Sequence, residues 1–136
     1  MPLHSTTEAD AEIYIITTDM SASSAKNVGA SDVVYVGQTC KQIGLDKRFD
    51  QHLKEHTNWK RHTHQPLLRE NLKECTQLEV TAAERYWYDH YRLLGSPLEN
   101  AIVPITKDTF LYYKNSSTFR GKEKGFPKGD SWAPKD

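Results

Sequence analysis

Arg48 and His52 come after the apolar run VVYVG and lie four residues from each other, which places them one turn apart on a helix. Tyr14 and Tyr35 lie in the apolar segments before them, and Glu84 comes later. Attack on a phosphodiester needs a nucleophile made from water, charge neutralisation at the phosphoryl oxygens and stabilisation of the departing alkoxide. A carboxylate that holds a hard divalent metal, a guanidinium, and a phenol or imidazole would supply these functions.

Two strands precede the helix that would carry Arg48 and His52. EIYIITT and DVVYVGQT are rich in β-branched and aromatic residues, and the polar, small-residue stretch SASSAKNVGAS separates them. They predict an antiparallel hairpin with a long connection. We expect Gly37 to supply a strained or positive-φ backbone at the end of the second strand. Residues 1–10 are polar and without period, which predicts a disordered segment and ordered structure from about Ala11.

Helical periods follow the hairpin in two places. Leu45, Phe49 and Leu53 recur every four residues, which predicts an amphipathic helix of about three turns that begins near Gln42. Residues 54–66 have no period and predict a loop.

A second helix is predicted from Thr76 to a stop at Gly95, because apolar residues recur from Leu78 at helical spacing. LLRENLKEC, just before it, fits a helix by its leucine spacing, but we favour a strand.

Composition limits the class of protein. The chain has 136 residues with 18 Lys or Arg and 18 Asp or Glu, which fits one domain with no net charge to favour nucleic acid or membrane. Any polyanion site must be a local patch. No apolar stretch reaches membrane-spanning length and no signal-peptide pattern is found, so we expect a soluble protein with no membrane partner. Cys40 and Cys75 form no CxxC pair and predict ordinary thiols.

The C-terminal segment 107–136 is basic and aromatic. It holds seven Lys or Arg and four Asp or Glu, a net charge of +3, interleaved with six aromatic residues. Such a segment could grip nucleic acid through stacking and phosphate contacts, or it could pack its aromatics on the domain. The sequence leaves both open. It is predicted as an extension that packs on the domain or extends it.

The order of these motifs resembles the GIY-YIG nuclease family. EIY matches the family's first motif, YVG the second, RFDQH the helical arginine and histidine, AERYWYDHY the glutamate on a later helix, and LENAI a final asparagine, Asn100. Each motif alone is weak, and their order and spacing make the match more specific. Two departures matter: Glu12 stands where the family has its first glycine, and the loop between the strand motifs is long.

The resemblance implies a fold and a mechanism. The fold is α+β, a small, mainly antiparallel three-stranded sheet flanked by helices, over residues 11–106. Glu84 would bind one divalent cation, Mg²⁺ or Mn²⁺, as the single protein ligand. Arg48 would contact the scissile phosphate. One of the two tyrosines would be the general base, a question that the sequence leaves open.

The other site residues have supporting roles under this resemblance. His52 would assist proton transfer or phosphate positioning, and Asn100 would brace the site through hydrogen bonds. Lys47 would help polarise a tyrosine or phosphate. Gly37 would support the site from the strand.

Structural explanations exist for each residue taken singly. The tyrosines could pack on a sheet face, Arg48 could pair with Glu55 or Asp50, and His52 could lie at the surface. Glu84 could close a capping box with Thr81, although Thr76 and Glu79 fit the same box one helical turn earlier. Asn100 could be an ordinary loop residue. The remaining histidines are expected to be exposed, with no zinc site: His56, His62, His64 and His90.

A narrower resemblance concerns YWYDHYRLLGSPLENAIVPI, which is similar to nuclease domains at the C-termini of bacterial polymorphic toxins, including those on RHS-repeat carriers. It implies a toxin domain that acts on DNA rather than RNA and has a cognate immunity protein. The expected location is the bacterial cytoplasm, or delivery into a target cell as part of a larger toxin. The alternatives are a restriction- or repair-type endonuclease and a catalytically silent nucleic-acid-binding module.

Overall fold

The centre of the fold is β1 (Glu8–Thr17), which pairs antiparallel with a strand on each side. The computed structural model describes residue 3, residues 5–113 and residues 134–135. The sheet order is β2-β1-β3, where β2 is Val33–Cys40 and β3 is Gln65–Thr76. The helices of the described part are α1 (Leu45–Glu55), α2 (Gln77–Leu93) and α3 (Lys107–Tyr113). The predicted α+β class and the predicted hairpin are confirmed.

The N-terminal boundary was predicted too late. β1 begins at Glu8 rather than near Ala11, so the predicted disordered segment 1–10 is too long. The reason is a long-range partner: Glu8 pairs with Thr76, at the far end of β3. These early residues are polar and carry no strand pattern of their own, so backbone hydrogen bonding to β3 orders them.

β3 confirms the strand that we favoured over a helix for LLRENLKEC. Its burial alternates poorly, and it has bulges opposite Ala9–Ala11 and Ile13–Tyr14. Leu68 is exposed, whereas Leu72 is buried with the core. The leucine spacing of four is therefore compatible with a strand in which the two side chains have different surroundings.

The sheet separates two clusters of buried side chains. Alternate residues of β1 belong to different clusters: Ile13 and Ile15 pack with α2, whereas Tyr14 and Ile16 pack with Phe49 of α1. Successive strand residues point to opposite faces, so α1 and α2 cover opposite sides of the sheet. This layering places the helix that carries Arg48 on the same side as Tyr14.

The helix starts depend on local signals. α2 begins with a capping box in which Thr76 Oγ1 accepts from Glu79 N at 3.3 Å and Glu79 Oε1 accepts from Thr76 N at 2.8 Å. Glu84 therefore lies inside the helix and is not needed as its cap. α1 begins at Leu45, three residues later than predicted, because Gly44 supplies the turn with φ +83°. The predicted loop 54–66 is also shorter, since α1 runs to Glu55 and β3 starts at Gln65.

Part of the C-terminal extension packs on α2. The Arg85 guanidinium donates to Asp89 Oδ1 at 3.0 Å, to the Ile105 carbonyl and to the Lys135 carbonyl at 2.6 Å. Lys135 N in turn donates to Asp89 Oδ2 at 2.8 Å, and Phe110 of α3 is buried in the core. These contacts show packing at both ends of the extension. Residues 114–133, which carry most of its basic and aromatic side chains, lie outside the described residues.

Two further findings concern sequence expectations. None of the helices in the described ranges has the length and hydropathy needed to cross a membrane. Cys40 is exposed, Cys75 is buried, and no disulfide bond joins them.

Removal of the α2 cap should lower stability. Thr76→Ala deletes the hydroxyl that accepts from Glu79 N, and the expected loss is about 1 kcal/mol of unfolding free energy, measured by urea denaturation. Thr76→Ser keeps the hydroxyl and should recover most of that loss. Thr57→Ala, at an exposed turn, should change stability by no more than about 0.5 kcal/mol. Equal stability of the Thr76→Ala variant and the unmodified protein would contradict the role of this cap.

Candidate active site

The site is built around Tyr14, Tyr35 and His52, which come from three different elements. Tyr14 Oη lies 2.5 Å from His52 Nε2, a hydrogen bond between side chains that are 38 residues apart. The Tyr35 ring lies 4.6 Å from the His52 ring in an edge arrangement, and the two tyrosine rings are 6.2 Å apart at an interplanar angle of 24°. Three of the predicted site residues therefore meet in the folded chain.

Gly37 makes room for this arrangement. It is opposite Tyr14 in the β1–β2 register, and a Cβ placed on it would lie 2.5 Å from Tyr14 Cζ and 2.8 Å from Tyr35 Cε1. The prediction of a positive-φ glycine at a strand end is wrong. Gly37 lies inside β2, and the positive-φ glycines of the described chain are Gly44 and Gly95. Its function is to leave space for two tyrosine rings.

The two phenols and the imidazole are neutral at physiological pH. Burial raises the pKa of Tyr14 and of Tyr35 above their usual values, and the positive charge of Arg48 partly opposes both shifts. Burial, together with the Arg48 charge, lowers the pKa of His52 to about 4. The Tyr14–His52 hydrogen bond therefore joins a protonated phenol to a neutral imidazole.

Arg48 and Lys47 are neighbours on α1 with different surroundings. Arg48 is half-buried, donates to Gln51 Oε1 at 2.9 Å, and acts electrostatically on both tyrosines, His52 and Glu84. Lys47 is exposed. Consecutive helix residues point about 100° apart, so the two cations cannot share one direction. The structure brings Arg48 into the group and leaves its neighbour at the surface.

Glu84 approaches β2 from α2. Its Oε1 accepts from Gln38 Nε2 at 2.8 Å, and Gln38 also contacts Thr81 and Gln77 on the same helix. Burial raises the pKa of Glu84 to about 7, against the Gln38 hydrogen bond and the Arg48 charge, which lower it. The negative charge of Glu84 raises the pKa of both tyrosines, which places this carboxylate within electrostatic reach of their hydroxyls.

The surroundings of Glu84 fit a hard divalent cation. Among the described residues, only Oε1 receives a hydrogen bond, so Oε2 is available as a ligand. The carboxylate belongs to no group of three side-chain ligands in the described ranges. Mg²⁺ prefers oxygen ligands, keeps several waters and needs only one or two carboxylates. Bound there, a cation would also offset the burial that disfavours the ionised carboxylate.

Asn100 braces the edge of the sheet beside the site. Its Oδ1 accepts from Val36 N at 3.3 Å and its Nδ2 donates to Val36 O at 2.8 Å. The side chain thus replaces a strand partner for the residue between Tyr35 and Gly37. Glu99 N donates to Val34 O at 2.7 Å and extends the same contact. The residue holds β2 in place and does not itself point a polar atom at the tyrosine hydroxyls.

Sequence reasoning missed several residues around His52. The prediction that His56 and His64 are exposed is wrong, because both are half-buried and stack on Trp59, a fully buried ring. Gln38, which holds Glu84, was also missed. A local signal did exist for one group: HLKEH brings His52, Glu55 and His56 within five residues, and one ligand atom of each lies within 4.8 Å of the others.

Comparison of the chain with known proteins finds no matching family model, no matching curated protein and no matching solved structure. The resemblance to the GIY-YIG family therefore stays a prediction from the motifs. The function proposed below depends on those motifs and on the geometry of the site.

A methyl group at position 37 tests whether the two tyrosine rings need the space that Gly37 leaves. Gly37→Ala should cost about 1–3 kcal/mol of unfolding free energy, because the new methyl group overlaps the Tyr14 ring and the surrounding core is rigid. Gly29→Ala is the matched control, since its Cβ would meet nothing closer than 4.0 Å and its φ is −69°. Urea denaturation of both variants gives the comparison. Similar effects at both positions would show that Gly37 is not a clearance site.

Proposed function

We propose that the protein is a metal-dependent endonuclease that hydrolyses phosphodiester bonds of DNA by a GIY-YIG-type mechanism. One observation carries the proposal: the tyrosines of two strands contact the histidine of α1, and the charges of the α1 arginine and the α2 glutamate act on both tyrosines. These residues are spread over 71 positions of the chain, from Tyr14 to Glu84. Their convergence supports the resemblance of the motifs to the GIY-YIG family.

Arg48 supplies the contact to the phosphate in this proposal. Its positive charge lowers the pKa of both phenols and of the Glu84 carboxylate, so a phosphate bound to Arg48 would be near these groups. A guanidinium can donate two parallel hydrogen bonds to a phosphate and stabilises the charge that grows on its oxygens. The side chain is only half-buried, which leaves it accessible to a substrate.

The two tyrosines have different access to water, and this difference assigns their roles. Tyr14 has no exposed surface and its hydroxyl is hydrogen bonded to His52. Tyr35 is half-buried in the edge strand. We therefore assign Tyr35 as the group through which the attacking water loses its proton. Burial and the Glu84 charge keep this phenol neutral, and a cation bound at Glu84, together with the Arg48 charge, would favour the ionised form that accepts the proton. Tyr14 and His52 pack against the Tyr35 ring and position it.

Glu84 is the residue that would hold the divalent cation. When bound, the cation lowers the pKa of water and neutralises charge on the phosphoryl and leaving oxygens. The carboxylate is oriented by Gln38, whose amide is itself held by Gln77 of α2 through a 2.8 Å hydrogen bond. In the overall reaction the water oxygen bonds to phosphorus, and the departing alcohol oxygen takes the P–O electron pair and a proton.

The biological role we propose is that of an antibacterial toxin domain with a cognate immunity protein that covers the site. The support is the similarity of YWYDHYRLLGSPLENAIVPI to toxin nuclease domains. This stretch includes α2 after Glu84 and the segment that braces β2 through Asn100. A partner bound over this surface would reach the metal ligand and the edge strand together.

Cleavage should depend on the metal and on two named side chains. Supercoiled plasmid should be cut with Mg²⁺ and left intact with a chelator. Glu84→Gln and Arg48→Ala should each lower the rate about 100-fold or more, because each removes charge stabilisation from the transition state. RNA in a parallel incubation tests the preference for DNA.

Two variants control for nonspecific loss of charge. Glu74→Gln alters an exposed carboxylate on β3, and Arg61→Ala removes an exposed arginine; both should cut at the unmodified rate. All variants should retain their thermal melts. Full activity of the Glu84→Gln protein would exclude the mechanism. Binding of DNA without metal-dependent cutting would favour the silent binding module.

The toxin role predicts a cellular phenotype. Induced expression of the chain in a bacterial cytoplasm should arrest growth and degrade chromosomal DNA, and Glu84→Gln should relieve both effects at equal protein level. Glu74→Gln should stay toxic. Growth without damage by an enzyme that cuts plasmid in vitro would exclude the toxin role while leaving the nuclease intact.

A further inference from the structure

A second group of side chains with metal-ligating atoms lies at the C-terminal end of α1, beside the candidate site and apart from Glu84. His52, Glu55 and His56 each offer one ligand atom, and these atoms all lie within 4.8 Å of one another. His52 and Glu55 lie one turn apart on α1, and His56 is the residue that caps its C-terminus with an extended backbone. Two imidazoles and a carboxylate are ligand types that zinc uses, and histidines four residues apart recur as zinc ligand pairs.

His52 supplies an independent observation that a ligand is missing. Its side chain is 1% exposed, and its Nδ1 has no hydrogen-bond partner among the described residues. Its Nε2 is already engaged by Tyr14 Oη at 2.5 Å. A buried polar nitrogen without a partner is costly, and few such atoms are found in folded proteins. A metal ion bound at Nδ1 would remove that cost.

Stacking on Trp59 orders the His56 ring. Its ring stacks on Trp59 with a centroid distance of 3.8 Å and an interplanar angle of 6°, and its centroid lies 5.6 Å from that of His52. Glu55 is exposed and free to rotate towards the two rings. Two of the three ligands are therefore ordered before any metal binds, and the third needs only a rotamer change.

We propose that His52 Nδ1, His56 and Glu55 bind a transition-metal ion of the Zn²⁺ class, at a site distinct from the Glu84 carboxylate. In tetrahedral zinc sites the metal–nitrogen bonds are about 2.0–2.1 Å, so ligand atoms lie about 3.3 Å apart. The ligand atoms of the three residues now lie within 4.8 Å of one another, so metal binding requires rotation of the exposed carboxylate and movement of the imidazoles. Water or another small ligand takes the fourth position.

The α1 site and Glu84 offer different donor atoms, and these favour different metal ions. Imidazole nitrogens favour Zn²⁺, Co²⁺, Ni²⁺ and Cu²⁺, whereas a lone carboxylate with water favours Mg²⁺ and Mn²⁺. The α1 site is therefore expected to fill with a transition metal while Glu84 remains free for a harder ion. Binding at α1 does not depend on cleavage of a phosphodiester.

A metal ion bound at Nδ1 of His52 determines whether Nε2 of the same ring carries a proton. A neutral imidazole that coordinates through Nδ1 must carry its proton on Nε2. Nε2–H then donates to Tyr14 Oη, and the phenol proton is released to point elsewhere. Metal occupancy on α1 would thus set the direction of the hydrogen bond at the centre of the candidate active site.

Cobalt is the probe, because its visible d–d absorption reports coordination directly. Tag-free protein carrying Glu84→Gln, which removes the other metal ligand, is titrated with Co²⁺ and then with competing Zn²⁺. We expect one equivalent to bind with the intense visible bands of a four-coordinate site, and Zn²⁺ to bleach them. ¹⁵N NMR of His52 should show Nδ1 metallated and Nε2 protonated.

Two substitutions remove ligands while leaving the fold in place. His56→Phe keeps a ring to stack on Trp59, and Glu55→Gln alters an exposed side chain. Each should weaken Co²⁺ binding about tenfold or more, with an unchanged thermal melt of the metal-free protein. His62→Phe, in the exposed turn that follows, is the matched control and should bind like the parent.

The outcomes separate this inference from the proposed nuclease. Retention of the Co²⁺ spectrum by His56→Phe, or absence of any visible spectrum in the Glu84→Gln protein, would overturn the α1 site. Neither result bears on Mg²⁺-dependent cleavage by the unmodified protein. A nuclease assay that fails while the spectrum appears would leave the α1 site standing.

Discussion

The pairing of Tyr14 with Gly37 across β1 and β2 is the constraint on which the candidate site depends. Because residue 37 has no Cβ, the Tyr14 ring can lie over its backbone, and the hydroxyl reaches His52 on α1. A shift of one residue in this register would turn Tyr14 to the α2 side of the sheet. The hydrogen bond, the Tyr35–His52 contact and the position of α1 would be lost together.

Charged side chains from both helices act on the edge of the sheet formed by β2. α1 and α2 pack on opposite faces, yet Arg48 and Glu84 both perturb the pKa of Tyr35. β2 is an outer strand of the sheet, so side chains from both layers can approach it. Gln38 holds the carboxylate and Asn100 replaces the missing strand neighbour at Val36. An edge strand exposes unpaired backbone groups unless another segment covers them. On β2 this edge is also where the predicted catalytic side chains meet.

Much of the fold could be predicted because its signals are local. Residues 77–93 combine an apolar period with a capping box, and YVG lies in a β-branched run, so a short window suffices for each. β3 was harder, since its leucine spacing suits a helix and pairing with β1 decides the outcome. The start of β1 and the burial of His56 were mispredicted for the same reason. Each depends on residues far along the chain: β1 starts where β3 pairs with it, and His56 is covered by Trp59, a ring that is buried against Tyr14 and Val34 of the sheet.

The types and order of the site residues are readable from the sequence between Tyr14 and Asn100, because function requires particular functional groups at helical or strand spacing. Their chemistry is not. Burial makes His52 neutral, raises the pKa of Glu84 to about 7, and leaves one imidazole nitrogen without a partner. Those properties arise from desolvation and from charges on other elements, and no window of sequence contains both a side chain and its surroundings. Gly37 shows the difference most directly: its identity suggests a turn, and the neighbouring strand makes it a clearance for Tyr14.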